Sequence, residues 1–388
     1  MTSLARGPVG AEPPGAARPD GTREPDGTGH PALRGLPAVW LRANCPCAGC
    51  QDPRSGQRLA AITGLPADVS VARVLASDAA VEVIFGPDGH RAVFAADWLA
   101  RYGGPGGEPG TGPGPDPPDD DRTEDAKRLW AAADLGGGIP QGWWPRYLAD
   151  PEHRSACLSA VLTHGVVVLH DVPGEPGAVL AVARSLGYVR ETNYGRLFDV
   201  RAEPAAANLA FTRRPIAPHT DNPYRDPVPT MQLLHCLRDA ADGGGESGLV
   251  DGFRAAALLR ETHPGHFRML SGTPVTFAWG RLRAQRPMIG VDEAGRIREI
   301  RYNNRSLRPL AGREDELGAF YAAYRAFDAL LNRPGAMVTF KLAPGDCVIF
   351  DNTRVLHART AFTDGAGAGD RHLQGCYADL DAVQWTTS

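Results

Sequence analysis

Lysine is almost missing. Of 41 basic side chains all but Lys127 and Lys341 are arginine, a bias that codon composition alone would produce and that carries no function. Charge of one sign is not in excess either. The formal net charge of −4 removes the electrostatic case for a nucleic acid or an anionic membrane as partner. No apolar run approaches the roughly 20 residues needed to cross a bilayer. Met1–Gly15 has no apolar stretch of the kind a secretory signal carries, so a cytoplasmic setting is expected. Seven cysteines, an odd number in so long a chain, do not read as a disulfide framework. What the chain has in surplus is glycine (46) and proline (34), concentrated in residues 1–30 and 103–120. Hydrophobic content of 43% and charge of 22% are ordinary for a soluble fold and exclude disorder of the whole chain.

Residues 1–34 lack apolar periodicity and read as a disordered tail. Residues 35–102 read as a small unit. It has strands at Leu36–Leu41, Ala79–Phe85 and His90–Phe94, a turn at Gly86–Gly89, and Asp97-Trp98-Leu99 to close it. Residues 103–122, rich in Gly, Pro and Asp, read as a linker. The rest, 123–388, holds short strand candidates at Gly165–Leu169, Thr230–Leu237, Gly248–Gly252, Thr273–Trp279, Ile297–Tyr302, Met337–Leu342, Cys347–Phe350 and Gln374–Leu380. Pro/Gly punctuation between them argues for a mainly β, antiparallel sandwich or barrel rather than a βαβ array. The clearest helix is Glu316–Asn332, with Ala178–Leu186 and Phe253–Thr262 shorter.

Cys45, Cys47 and Cys50 place three thiols in six residues. Neighbouring thiolates repel, and a shared soft cation removes that cost. Three donors leave a tetrahedral zinc site one short, and His90, just after the Pro-Asp-Gly turn, is the best fourth. A Cys3His site is closed and therefore structural, stapling a unit too small to rely on its own core. The bland alternatives are loop cysteines and a surface histidine. Cys157, Cys236, Cys347 and Cys376 lie in apolar runs and read as buried hydrophobes.

His219-Thr-Asp221 forms the second constellation. In extended backbone residues i and i+2 face the same way, so imidazole and carboxylate can share a metal. His357 follows the strand Gly345–Asp351 and supplies a second imidazole. Two histidines and a carboxylate make the facial triad of non-haem Fe(II) oxygenases, which leaves positions open for co-substrate and dioxygen. Arg371, fourteen residues beyond His357, can pair bidentately with the distal carboxylate of a keto-acid that chelates the iron. Singly, each of these residues has an ordinary reading as a core histidine or surface arginine.

His219-Thr-Asp221, Gln232-Leu-Leu-His-Cys236, Val250-Asp-Gly-Phe253, Gly345-Asp346, Phe350-Asp-Asn352, Arg354-Val-Leu-His357 and Arg371-His-Leu373 together resemble gamma-butyrobetaine dioxygenase and its relatives in the TauD/TfdA group. Trp40–Asn44 with Cys45, Cys47 and Cys50, and Asp88-Gly-His90, resemble the zinc-binding domain that precedes the oxygenase there. The resemblance covers about residues 36–382. It implies a double-stranded β-helix (jelly-roll) oxygenase domain with flanking helices. It further implies Fe(II) on His219, Asp221 and His357, 2-oxoglutarate on Arg371, structural zinc on Cys45, Cys47, Cys50 and His90, stimulation by ascorbate, and a homodimer. The implied reaction oxidatively decarboxylates 2-oxoglutarate to succinate and CO2, consumes O2, and hydroxylates an unactivated C–H of a small-molecule substrate.

The same resemblance puts Tyr194, Phe198, Phe211 and Tyr377 at the positions of an aromatic cage for a trimethylammonium group. Phe198 and Phe211 depart from the usual Trp and Tyr. Asn208 and Asn304 fall where polar groups could meet a substrate carboxylate. The expected substrate is gamma-butyrobetaine or a similar quaternary ammonium zwitterion. A TauD-type oxygenase acting on another amino acid, betaine or phosphonate is the first alternative, and a non-catalytic zinc-bearing interaction protein the second. Gly243–Gly248 reads as a flexible turn near the site entrance. Trp143-Trp144 reads as packing, and His263-Pro-Gly-His266 as a loop.

Overall fold

The computed structural model describes residues 33, 35–54, 56–102, 127–136, 138–202, 209–240, 244–362, 371–381 and 383, with the side chains of 100–102 left aside. The expected linker, Asn208 and nearly all of the expected tail lie outside them. Leu33, assigned to the tail by composition, is instead only 1% exposed and belongs to the core. Among the described residues no helix is long and apolar enough to cross a membrane.

The small unit is an antiparallel meander of β1 (Ser70–Ala76), β2 (Ala80–Gly86) and β3 (Arg91–Ala95). Alternation in β2 and β3 turns Val81, Val83, Phe85, Ala92 and Phe94 inward. Trp98 stacks on Phe94 at 5.5 Å and meets Trp40 at 5.4 Å. Trp40 sits not on the expected strand but on a helix, Ala38–Ala43, that starts after Pro37. A six-residue apolar run is too short for its period to be read. The helix buries Trp40 and Leu41, with Leu36 buried just ahead of it, and the Trp40 indole N–H donates to the Leu310 carbonyl at 2.6 Å.

The unit has no core of its own. Leu36, Trp40, Leu41 and Phe85 share one buried cluster with Leu317, Phe320, Tyr321, Tyr324 and Phe327 of the helix Glu314–Leu331. Polar ties reinforce the seam: the Arg325 guanidinium donates to the carbonyls of Ile62 and Leu65, and Thr63 to Asp328.

The larger part is a two-sheet jelly roll. One sheet runs β4 (Gln141–Trp143), β5 (Val166–His170), β15 (Cys347–Asp351), β8 (Met231–Arg238), β17 (His372–Ala378), β6 (Phe198–Val200). The other runs β14 (Met337–Phe340), β9 (Ser247–Asp251), β16 (Val355–Arg359), β7 (Ile216–His219). All pairs are antiparallel except β4 with β5. The mainly β sandwich read from the sequence is what the chain forms. Strand period 2 sorts the core. Val167, Leu169, Leu233, Cys347, Ile349 and Cys376 face the helices Trp144–Ala149, Pro151–His164 and Ala178–Leu186. Val166, Val168, Cys236, Val348, Phe350 and Leu373 face the second sheet. Two separate hairpins, β10 (Val275–Trp279) with β11 (Leu282–Arg286) and β12 (Ile289–Val291) with β13 (Ile297–Ile300), lie between β9 and β14 in the chain.

Two of the quoted motifs are structural. Arg354 grips Asp251 through Nε at 3.2 Å and Nη2 at 2.9 Å, both side chains almost wholly buried. Asp251 also caps the helix Gly252–Thr262 by accepting from the Phe253 and Arg254 amides. This clamp fixes β9 beside β16. Further corrections concern the smaller signals. His263-Pro-Gly-His266 is not a loop: His263 stands at the N-cap position of the helix Pro264–Gly272, whose first turn accommodates the proline, and the two rings stack. Of the tryptophan pair, Trp144 is buried whereas Trp143 is 46% exposed.

Candidate active site

His219 ends β7 and is the register partner of His357 in β16. Directly opposed residues on one face of an antiparallel pair are neighbours, and the two imidazole centroids are 4.1 Å apart. The His219 Nδ1 atom lies 3.0 Å from the Ala217 carbonyl oxygen, which can only accept. Nδ1 therefore carries the proton, and Nε2 keeps its lone pair for a metal. Asp221 does not continue the strand as the sequence suggested; it lies in a bend beyond it. Its place is set by Asn352, whose Oδ1 accepts from the Asp221 amide at 2.8 Å and whose Nδ2 donates to the Asp221 carbonyl at 3.0 Å. Thr220 is locked to Tyr302 by a reciprocal pair of hydrogen bonds. The Asp221 carboxylate thus comes to 3.4 Å from His219 Nε2 and 3.9 Å from His357 Nε2. These three could hold a metal ion.

Electrostatics prepares the same donors. Burial pushes the His219 imidazole down, and burial with the neighbouring His219 pushes His357 down to about 3, so both are neutral. Burial alone would raise Asp221, but His357, His219 and Arg305 outweigh it and hold the carboxyl well below the usual range. Its Oδ2 accepts from Gln232 Nε2 at 2.9 Å and from the Tyr377 hydroxyl at 2.8 Å.

A cavity opens over these donors. Arg371, at the start of β17, is 5% exposed and lines it. Gly245 presses on this side chain. A Cβ there would stand 2.7 Å from Arg371 Cδ, and its φ of +73° is itself a glycine conformation. The glycine-rich turn is therefore seated against Arg371. Tyr194, Phe198, Phe211 and Tyr377 all reach the cavity. Phe198 stacks on Tyr377 at 5.2 Å and tilts against Tyr194 at 6.0 Å. Its ring lies over Gly375, where any side chain would collide with it. Asn304 is not brought to the cavity. It turns outward and donates to the Ala60 carbonyl, while its neighbours Asn303 and Arg305 line the wall.

Some 40 residues apart in sequence, the thiol cluster and His90 meet. Sγ of Cys45, Cys47 and Cys50 lie 3.1, 3.6 and 3.5 Å from His90 Nε2. Zinc bonds of about 2.3 Å to sulfur and 2.0 Å to nitrogen put tetrahedral donors about 3.6 Å apart, so the set fits zinc. A hydrogen bond from Cys45, and then the Arg42 guanidinium, hold the Cys50 thiol down at about 5, the thiolate form a metal needs.

Residues 134–377 match the taurine catabolism dioxygenase TauD, TfdA family, and residues 32–100 match the gamma-butyrobetaine hydroxylase-like N-terminal family. The chain belongs to the TauD/TfdA family. It is a 2-oxoglutarate-dependent dioxygenase of that family. Gamma-butyrobetaine dioxygenase of Pseudomonas sp. (strain AK-1) is 35% identical over 349 residues, covering 89% of this chain and 88% of that protein. The human gamma-butyrobetaine dioxygenase is 30% identical over 359 residues, with 89% of each covered. Trimethyllysine dioxygenase of Meyerozyma guilliermondii is 28% identical over 357 residues, covering 88% and 87%.

In this TauD/TfdA dioxygenase several cavity residues carried no sequence signal. Tyr224 hydrogen-bonds to Tyr194 through their hydroxyls at 3.2 Å. Gln57 comes from the small unit, on the loop that leaves Cys50, and accepts from the Leu209 amide at 3.0 Å. That loop is tied back by Leu59, whose amide donates to the Cys50 carbonyl, and by a Gln51–Arg58 bridge. Gln232 and Asn352 lay inside quoted motifs, yet only the folded geometry gives each a task at Asp221.

Proposed function

We propose that the chain hydroxylates an unactivated C–H of a small quaternary ammonium zwitterion, gamma-butyrobetaine or a close relative, with 2-oxoglutarate and O2 as co-substrates. The observation that carries the reading is the convergence of His219, Asp221 and His357 on one face of a cavity that Arg371 and four aromatic rings also line. His219, Asp221 and His357 would hold Fe(II) and leave one face of it open. Iron so held supplies the redox chemistry that converts 2-oxoglutarate and O2 to succinate and CO2 and gives the substrate one oxygen atom.

The remaining work falls to side chains. Tyr377 and Gln232 donate to Asp221 Oδ2, which keeps the carboxylate ionised and fixes its orientation. Arg371 takes the distal carboxylate of 2-oxoglutarate in a charge-assisted pair. Tyr194, Phe198 and Tyr377 offer π faces to an ammonium and exclude water from around the reacting carbon; each such contact contributes about 0.5–2 kcal/mol. Cys45, Cys47, Cys50 and His90 hold zinc as a staple, with no part in the chemistry.

An anaerobic titration of the protein with Fe(II) and 2-oxoglutarate should give a visible metal-to-ligand charge-transfer band. Gamma-butyrobetaine should then stimulate succinate release in air. Asp221→Ala should abolish both band and turnover; turnover retained in that variant would sink the iron assignment. A wild-type protein that forms the band but ignores gamma-butyrobetaine and its homologues would sink the substrate class.

A further inference from the structure

Three arginines line the cavity, and they are not equivalent. Arg359 turns both of its Nη atoms to the backbone, donating to the carbonyls of Ala210, Thr212 and Arg214, and only its Nε lacks a partner among the described residues. Arg371 has its role under the proposed function. Arg305 stands apart from both. Its Nε and backbone amide turn toward Asn303 Oδ1, whereas Nη1 is buried and has no hydrogen-bond partner among the described residues. It is not the counter-ion of Asp221 by contact, because Asp221 Oδ2 takes its hydrogen bonds from Gln232 and Tyr377. It nonetheless lies close enough to act on Asp221, Tyr194, Tyr224 and Tyr377 electrostatically.

Gln232 Oε1, His357 Nδ1 and Arg359 Nε also lack partners among the described residues, but one further cavity-lining side chain is orphaned at both of its polar atoms. Asn222, the residue after Asp221, is buried with neither Oδ1 nor Nδ2 hydrogen-bonded, and its backbone is held at φ +54°. A buried donor left without a partner costs about 1–3 kcal/mol, and more when it is charged. Such a cost is tolerable where a ligand removes it. A cationic donor beside aromatic rings cannot favour the ammonium end of a substrate; it favours an anion.

We propose that Arg305, with the Asn222 amide lining the same cavity, is the subsite for the anionic end of the substrate, a carboxylate. This rests on the proposed function and deepens it. The aromatic faces take the ammonium, Arg305 takes the carboxylate, and the reacting carbon is held between the two ends. The subsite makes the acid group a requirement: a substrate with an ammonium but no anion leaves Arg305 unpaired and is rejected.

The test titrates the anaerobic Fe(II)/2-oxoglutarate complex with gamma-butyrobetaine, trimethyllysine and the methyl ester of each, read by the shift of the charge-transfer band. Wild type should bind at least one acid more than about tenfold better than its ester, which corresponds to about 1.4 kcal/mol. Arg305→Gln should still form the band but bind acid and ester within about twofold of each other, and Arg305→Lys should recover part of the preference. No preference for acid over ester in wild type, or an unchanged preference in Arg305→Gln, overturns the proposal. Failure of the wild-type protein to form the band would instead strike the iron and 2-oxoglutarate reading.

Discussion

Replacing Gly245 by alanine isolates the seat of Arg371. The new Cβ would lie 2.7 Å from Arg371 Cδ and 3.0 Å from Nε, where ordinary contact begins near 3.4 Å, so the side chain would have to retreat by about 0.7 Å. It has little room to do so, being 5% exposed and backed by the Phe362 ring. A bidentate pair with a carboxylate depends on both donors lying in the right plane. Losing one charge-assisted hydrogen bond costs about 1.5–3 kcal/mol, roughly tenfold or more in apparent affinity. The KM for 2-oxoglutarate should therefore rise at least about tenfold, while Fe(II) affinity stays put because His219, Asp221 and His357 are untouched. Alanine at positive φ also carries a backbone cost of about 1–2 kcal/mol. Gly295→Ala controls for this: its φ is +74° and nothing lies within 4 Å of the added Cβ. Both variants should melt lower by similar amounts, but only Gly245→Ala should change KM. Equal KM values in the two variants would refute the reasoning.

Two further outcomes follow from the metal sets. Cys47→Ser should release zinc, measured by metal analysis. It should also lower the melting temperature of the whole protein by several degrees, because the small unit shares its core with the helix Glu314–Leu331; full zinc loss at wild-type stability would show the staple to be dispensable. Acidification tests the histidines. An ordinary imidazole protonates near about 6.5, but folding holds His219 below that value and His357 at about 3. As pH drops from about 6.5 toward 3 the unfolded chain takes up protons that the folded site refuses, so metal-free stability should decline across that window. Both imidazoles are held below the ordinary value, so Co(II) affinity should not begin to fall at the pH where a free imidazole protonates; a decline already centred on about 6.5 would contradict it.

The parts legible in the sequence were those built from scarce residue types in short motifs or from long apolar runs. His219, Asp221, His357 and the three clustered cysteines stand out because metal chemistry admits few side chains. The Val166–Leu169 and Cys347–Phe350 runs read as strands because both faces of the central sheet are buried. Pro151–His164 went unread although Asp150 caps it and Pro151 opens it: its buried positions, Cys157, Leu158 and Val161, do not make a full stripe. Leu36–Leu41 was too short to tell helix from strand. Gln57 and Arg305 were invisible for another reason. Each joins the cavity through tertiary approach, Gln57 across 152 residues to Leu209, and no local pattern records such an approach.

The loop carrying Gln57 leaves Cys50 and returns to it through Leu59. One stretch of chain therefore carries a proposed zinc donor at one end and a residue of the cavity wall at the other. The proposed zinc donors and this part of the cavity wall are inherited together: recombination between relatives at the junction after residue 102 would transplant Gln57 along with Cys45, Cys47, Cys50 and His90. A hybrid carrying a foreign first segment would keep His219, Asp221, His357 and Arg371, yet acquire a cavity lining that neither parent possessed.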